Sequence, residues 1–253
     1  MKAIKATHLL LASLLLCLGQ MTKAAMGAAM PATVASNAMP RAATPVPKEK
    51  QGWMAQHDQN VALARKGDIA VLFVGDSITR CWSREGREVW AAHYAQKQAA
   101  NFGISGDCTE HVLWRLQHGE LENSKPKVVV LLIGTNNLTQ NDPPADIALA
   151  IAAIIEEIRR RSPDTRILLV GVLPRRQEAN HHDRESIREI NRRLAPLHDG
   201  KHVTYLDIGG KLLQPDGSLS KEVTKDFTHL TSRGYELFAE AIDPTLEALL
   251  RKP

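Results

Sequence analysis

The sequence predicts an α/β protein: a parallel sheet with helices packed on both of its faces. Three observations carry this. Short apolar runs rich in β-branched residues occupy residues 69–74, 127–133 and 166–172, without the alternation of a half-exposed strand. Helical patterning separates these runs, as right-handed crossovers between parallel strands require. Each run also ends at Gly or Pro followed by polar residues, at the sheet edge where ligands bind in open α/β proteins.

Composition bounds the reading. A chain of 253 residues with 43% hydrophobic and 24% charged content is ordinary for a globular protein. The net charge of +4 is small and spread along the chain, and no basic stripe with interleaved aromatics occurs, which argues against nucleic-acid binding. Residues 1–24 read as a secretory signal. Lys2 and Lys5 form a basic start, residues 9–18 an apolar core too short to span a membrane stably, and Thr22-Lys23-Ala24 a cleavage site. The expected location is therefore periplasmic or extracellular, with no stable membrane span after cleavage. Residues 25–50 are rich in Ala, Met and Pro without periodicity and read as a disordered linker, leaving residues 51–253 as one domain. Cys81 and Cys108 then remain in an oxidising compartment. A disulfide and two buried free thiols are the alternatives.

In chain order, residues 52–66 predict a helix with Trp53 and Val61 as packing residues. The strand at 69–74 follows; Gly75 turns the chain and puts Asp76-Ser77 just past its carboxyl end. Ser77 is there either as a nucleophile or as part of a helix cap. Val89, Trp90 and Tyr94 suggest a crossover helix, and residues 99–104 a second strand with Ser105-Gly106-Asp107 as its exit loop. Residues 109–121 are amphipathic, with Val112, Leu113 and Leu116 on one face and Thr109 as N-cap. After the strand at 127–133 comes Gly134-Thr135-Asn136-Asn137, then a helix over 147–161 that stops before Pro163. The strand at 166–172 ends at Pro174, a polar loop runs over 175–182, a helix over 183–194, and a weaker strand over 203–206. The last helix, 235–250, contains Pro244, which is expected to kink or break it.

This alternation brings the loops carrying Ser77, Gly106 and Asn136 to one edge, where the polar stretch 224–229 is free to join them. A serine hydroxyl needs a base to take its proton, and the base needs a partner to fix its tautomer. His229 suits the first role near neutral pH, and Asp226, three residues earlier, the second. The Ser77 and Gly106 N–H groups and the Asn136 amide suit an oxyanion hole. Taken singly, each has a plainer reading: Gly106 as a turn glycine, Asn136 bonded to a loop carbonyl, His229 beside a helix start. Those readings do not account for four complementary roles at the ends of consecutive α/β units. Asp76 is expected to stabilise its turn by local hydrogen bonding. Trp82 borders the cleft or packs in the core; Arg175 and Arg176 meet an anionic group or form a polar loop. For His181-His182-Asp183 a solvated loop is favoured over a metal site, since no second ligand cluster has metal spacing. Nothing after Val74 matches a Gly-rich phosphate loop, which disfavours a nucleotide-binding protein.

Four stretches resemble, in order, the four sequence blocks of the SGNH (GDSL-type) hydrolases: Gly75-Asp76-Ser77-Ile78-Thr79, Gly103-Ile104-Ser105-Gly106-Asp107, Gly134-Thr135-Asn136-Asn137 and Asp226-Phe227-Thr228-His229-Leu230. Within that family, Asn101-Phe102-Gly103-Ile104, residues 111–116 and Leu173-Pro174-Arg175 are most similar to the catalytic subunits of type I platelet-activating-factor acetylhydrolase. The resemblance implies a flavodoxin-like three-layer α/β/α fold and a cofactor-free, metal-free serine esterase. Ser77 would be nucleophile, His229 base and acid, Asp226 the orienting carboxylate, and Gly106 and Asn136 oxyanion donors with the Ser77 N–H. It further implies a small acyl pocket favouring acetyl, walled at Ile78, Thr135 and Thr228. The resembled subunits form dimers, which makes a homodimer the partner to look for. Thr228 departs from the usual Leu, and Cys108 from Gly or Thr. The export signal departs from an intracellular relative and points to acetylated glycans or other esters as substrates. The rival activities are a lysophospholipase or thioesterase on longer acyl chains, and a catalytically silent binding protein.

Overall fold

The computed structural model describes residues 38–251. Five parallel strands form one sheet in the order β2-β1-β3-β4-β5: β1 (Val71–Gly75), β2 (Ala99–Gly103), β3 (Val128–Leu132), β4 (Arg166–Val170) and β5 (Val203–Leu206). The helices are α1 (Trp53–Lys66), α2 (Ser77–Arg80), α3 (Arg87–His93), α4 (Thr109–Arg115), α5 (Thr135–Thr139), α6 (Pro144–Arg161), α7 (His182–Leu194) and α8 (Ser232–Arg251).

Because side chains alternate along a strand, each strand feeds two cores. Leu72, Val74, Val129, Leu131, Ile167 and Leu169 pack under α4, α6 and α7. Val71, Phe73, Val128, Val130, Leu168 and Val170 pack under α8 and the aromatic cluster of Trp82, Tyr94 and Tyr235. Strands buried on both faces explain the unbroken apolar runs. The result is the expected three-layer α/β/α architecture. β1 pairs with β2 on one side and with β3 on the other. The chain therefore reverses direction across the sheet at β1, and the loops leaving β1 and β3 part to leave a crevice. Ser77 leaves β1 and Asn136 leaves β3, so both stand at that crevice.

Several expectations need correction. Thr109 does not cap α4: the cap is Cys108, while the Thr109 hydroxyl donates to the Ala42 carbonyl at 2.8 Å. That helix also stops at Arg115 and continues only as a wider turn over Leu116–Glu120, where Gly119 takes φ 110°. Pro244 does not break α8, which is continuous from Ser232 to Arg251. The chain after β3 is a short helix, α5, rather than a bare loop.

The expected signal at 1–24 and the first part of the expected linker lie outside the described residues. The described part of that linker, residues 38–50, is ordered, and the expectation of disorder fails there. Ala42 and Ala43 are buried against Ala150 of α6. Arg41 forms ion pairs with Glu110 and Asp142, and the Lys48 ammonium donates to the Gly106 carbonyl. Contacts this distant in sequence leave no local periodicity to read.

Candidate active site

The site begins at the end of β1. A Cβ on Gly75 would fall on the Leu132 carbonyl oxygen of β3 and on the Thr79 hydroxyl, so only glycine lets α2 start this close to the sheet. Asp76 is the N-cap of α2, its Oδ1 accepting from the Ile78 N–H at 2.9 Å as its sequence position suggested. The Tyr235 hydroxyl donates to the Ile78 carbonyl at 2.6 Å and ties α2 to α8. Ser77 is the first residue of a short helix held from both ends.

Two hydrogen bonds in series join Ser77 to the last loop. Ser77 Oγ lies 2.8 Å from His229 Nε2, and His229 Nδ1 lies 2.7 Å from Asp226 Oδ2. The nitrogen facing the carboxylate carries the proton, so Nε2 is left to accept from the Ser77 hydroxyl. Asp226 Oδ1 also accepts from the Thr228 and His229 N–H groups at 3.1 and 2.7 Å. Phe227 between them has φ 60°, a conformation bulky residues avoid, and this tight turn folds both N–H groups back on the carboxylate. Burial raises the Asp226 carboxyl, but the His229 N–H, the His229 ring and the Thr228 N–H outweigh it and hold the group below its ordinary value. Asp226 is thus an anion at neutral pH.

The opposite wall carries hydrogen-bond donors. Neither the Ser77 nor the Gly106 N–H donates to a backbone acceptor among the described residues. Gly106 has φ 81°, and a Cβ there would press on the Lys48 ammonium. The Asn136 amide gives one hydrogen to the Asp107 carbonyl at 2.8 Å, which fixes its plane and leaves the second hydrogen for a ligand. Ser77, Gly106, Asn136, Asp226 and His229 all line one cavity of about 400 Å³. The arrangement can activate a hydroxyl and receive negative charge beside it.

The three expected acyl-pocket walls, Ile78, Thr135 and Thr228, do not line this cavity. Ile78 is buried in the core under α8, and Thr135 is buried with its carbonyl accepting from Arg175 at 2.9 Å. Thr228 is half-buried beside Asp226. Trp82 belongs to the aromatic core. Arg175 and Arg176 both pair with Asp183, at 2.9 and 2.8 Å. Cys81 and Cys108 are buried free thiols. Two groupings bring three ligand atoms within 4.8 Å of one another among the described residues, Cys108-Glu110-His111 and His181-His182-Asp183. In the first, burial pushes the Cys108 thiol up to about 12, and the His111 ring already accepts from the Cys108 N–H. In the second, Asp183 is taken by its arginines.

Residues not anticipated from the sequence support the site from beneath. Arg115, fully buried, donates to Asp107 Oδ2 at 2.8 Å, to the Phe102 carbonyl at 3.1 Å, to the Gly75 carbonyl at 3.3 Å, and to Glu120. Trp53 adds a bond to Asp107 at 2.7 Å and Asn60 one to Glu120 at 2.8 Å. One guanidinium thus ties the ends of β1 and β2 to the Gly106 loop. Sequence marks Arg115 only as part of the 111–116 stretch.

Asp76 titrates unusually. Its Oδ2 is buried without a hydrogen-bond partner. Burial pushes its carboxyl up to about 7, Asp107 adding to the rise and the Ile78 N–H and His229 opposing it. The unfolded chain loses this proton near pH 4 while the folded protein keeps it to about 7, so stability falls as pH rises between those values and levels above. Asp76→Asn keeps an acceptor for the Ile78 N–H and removes the titration. Denaturant midpoints should show the variant gaining on the wild type from pH 4.5 to 8; parallel pH profiles would refute this account of Asp76.

Comparisons with known proteins bear on the family and the fold. A profile described as the GDSL-like Lipase/Acylhydrolase family matches residues 73–237. The chain is 37% identical over 216 residues to human platelet-activating factor acetylhydrolase IB subunit alpha2, covering 85% of this chain and 92% of that one. It is 35% identical over 215 residues to the bovine alpha1 subunit, covering 82% and 88%. Among solved structures, a GDSL-like lipase from Bacteroides thetaiotaomicron superposes with a TM-score of 0.63 at 22% identity, covering 77% of this chain and 97% of that one. An acetyl-xylooligosaccharide esterase from Geobacillus superposes with a TM-score of 0.55 at 16% identity, covering 72% and 94%. These last two bear on the fold alone.

Proposed function

The chain belongs to the GDSL-like lipase and acylhydrolase family, and from that premise we propose that it is an exported serine esterase that hydrolyses short-chain, chiefly acetyl, esters through an acyl-enzyme. The observation that carries the reading is the pair of hydrogen bonds in series, Ser77 to His229 at 2.8 Å and His229 to Asp226 at 2.7 Å.

Ser77 Oγ attacks the ester carbonyl carbon as its proton passes to His229 Nε2. Asp226 holds the imidazolium that forms. The oxygen that gains charge takes hydrogens from the Ser77 N–H, the Gly106 N–H and the free hydrogen of the Asn136 amide. His229 then protonates the leaving alcohol. Water, deprotonated by His229, attacks the acyl-serine carbonyl; His229 returns that proton to Ser77 Oγ as the C–O bond breaks and the acid is released. No step asks for a metal or an organic cofactor.

Acetyl preference rests on the relatives at 37% and 35% identity, which bear the name acetylhydrolase. Export rests on the basic start and short apolar core of residues 1–24. The test is turnover of p-nitrophenyl acetate, butyrate and octanoate by the wild type and by Ser77→Ala. Acetate should be favoured, with turnover on every ester lost in the variant. Octanoate preference would replace the acetylesterase with a lipase or thioesterase. Turnover that survives Ser77→Ala would overturn the assignment of Ser77.

A further inference from the structure

Gly106 offers its N–H to the oxygen that gains charge, yet nothing in glycine itself fixes where that N–H points. Glycine takes positive and negative φ with similar ease, and Gly106 stands at φ 81° in the loop after β2, beside the exposed Ser105. Its direction has to come from its neighbours. Most bonds that hold this loop end on Asp107. The Asp107 carboxylate accepts from Arg115 and Trp53, its N–H donates to the Ile104 carbonyl at 3.2 Å, and its carbonyl accepts from Asn136. Gly106 itself is held by Lys48, whose ammonium donates to the Gly106 carbonyl.

Lys48 is carried there by a stretch of chain anchored on both sides. Before it, the Val46 N–H donates to the Glu110 carbonyl at 3.4 Å, and Ala42 and Ala43 are buried. After it, the Lys50 carbonyl accepts from the Trp53 N–H at 3.0 Å, and the Trp53 ring N–H reaches Asp107. Lys48 is half-buried, whereas Pro47 and Glu49 on either side are exposed. It does not line the cavity at Ser77, so it touches the loop and not the space for substrate. It also lies outside residues 73–237, the span matched by the family profile.

A bond from an ammonium to a carbonyl is charge-assisted and about twice as strong as a neutral one. Without it, Gly106 regains the other half of its φ range. An oxyanion donor works by being in place before charge develops, so loosening it costs turnover and leaves ground-state binding alone.

We propose that Lys48 is a positioning residue of the active site, clamping Gly106 so that its N–H faces the oxygen that gains charge when Ser77 attacks. This rests on the esterase reading and adds to it a residue from the segment before α1. The reaction steps are unchanged.

The experiment measures hydrolysis of p-nitrophenyl acetate by the full chain as wild type, Lys48→Met and Lys48→Arg, with active sites counted by titration with paraoxon. Methionine keeps most of the stem and removes the donor; arginine restores a charged donor. Per active site, kcat of Lys48→Met should fall about tenfold, less than the ~100 to 1000-fold for deleting a donor outright, with KM nearly unchanged. Lys48→Arg should keep most of the wild-type kcat. Phenylboronic acid, which takes up Ser77 Oγ as a tetrahedral anion, should bind Lys48→Met more weakly in step with kcat, while inhibition by acetate, the planar product, stays the same. Equal kcat in wild type and Lys48→Met, a change confined to KM, a loss that Lys48→Arg does not restore, or boronate affinity unmoved while kcat falls would overturn the proposal, with wild-type cleavage through Ser77 intact. Absence of ester cleavage by the wild type above the Ser77→Ala level would overturn the esterase reading and this one with it.

Discussion

Replacing Ser77 with Ala should lower kcat on p-nitrophenyl acetate by about 10⁶-fold, and adding His229→Ala to that variant should cost nothing further. The two side chains act as one device. The imidazole has no proton to take once Oγ is gone, and Oγ is a poor nucleophile once Nε2 is gone. Each single variant therefore loses nearly all that the pair supplies. Residual hydrolysis comes from the donors opposite: the Ser77 N–H survives Ser77→Ala, and Gly106 and Asn136 are untouched. Turnover of the two single variants and the double variant, with thermal unfolding as a check on the fold, tests this. A double variant slower than Ser77→Ala by a further hundredfold would mean that His229 works on a different nucleophile.

The second large effect is on stability. Arg115→Met should cost about 3–5 kcal/mol, read as a melting temperature lower by roughly 10 °C for a domain of this size. Methionine fills much of the same volume, so lost packing is the smaller part. The larger part is that Asp107 and Glu120, both buried, lose the charge that compensates them. Burial alone pushes Asp107 upward, and Arg115 is the first of the groups that oppose it. Adding Asp107→Asn and Glu120→Gln to Arg115→Met should therefore recover part of the loss, because the stranded charges go with it. No recovery would assign the cost to packing instead. Urea unfolding of the three proteins separates the outcomes.

What could be read from the sequence follows from how local each signal is. β5 occupies residues 203–206 as read, and β1 is shifted by one or two residues, because a buried strand announces itself over a few consecutive residues. Ser77 was legible as a residue just past a strand, and Asp226 and His229 as a closely spaced pair before the last helix, and the structure brings the three together. Segment 38–50 was not legible. It has no pattern of its own and is held by partners 58 to 101 residues away, through Lys48 and Arg41. The Thr109 cap was misplaced by one residue because its hydroxyl has a stronger claim on it, the Ala42 carbonyl of that segment. Pro244 was expected to kink or break α8, and it does not break it: it stands twelve residues into a helix whose apolar face is buried along the sheet, and that packing outweighs a missing backbone hydrogen bond. The expected pocket walls at Ile78 and Thr135 were transferred by position in a motif, and position does not say which way a side chain turns.

The most direct test of the central claim is covalent capture. The protein is incubated with paraoxon, which phosphorylates serine nucleophiles activated by a neighbouring base, and the modified peptide is sequenced by mass spectrometry. The account predicts one diethylphosphoryl group per chain, on Ser77, with esterase activity lost in step with labelling, and little labelling in His229→Ala. Stoichiometric labelling at another residue, or full activity in a protein labelled at Ser77, would contradict it.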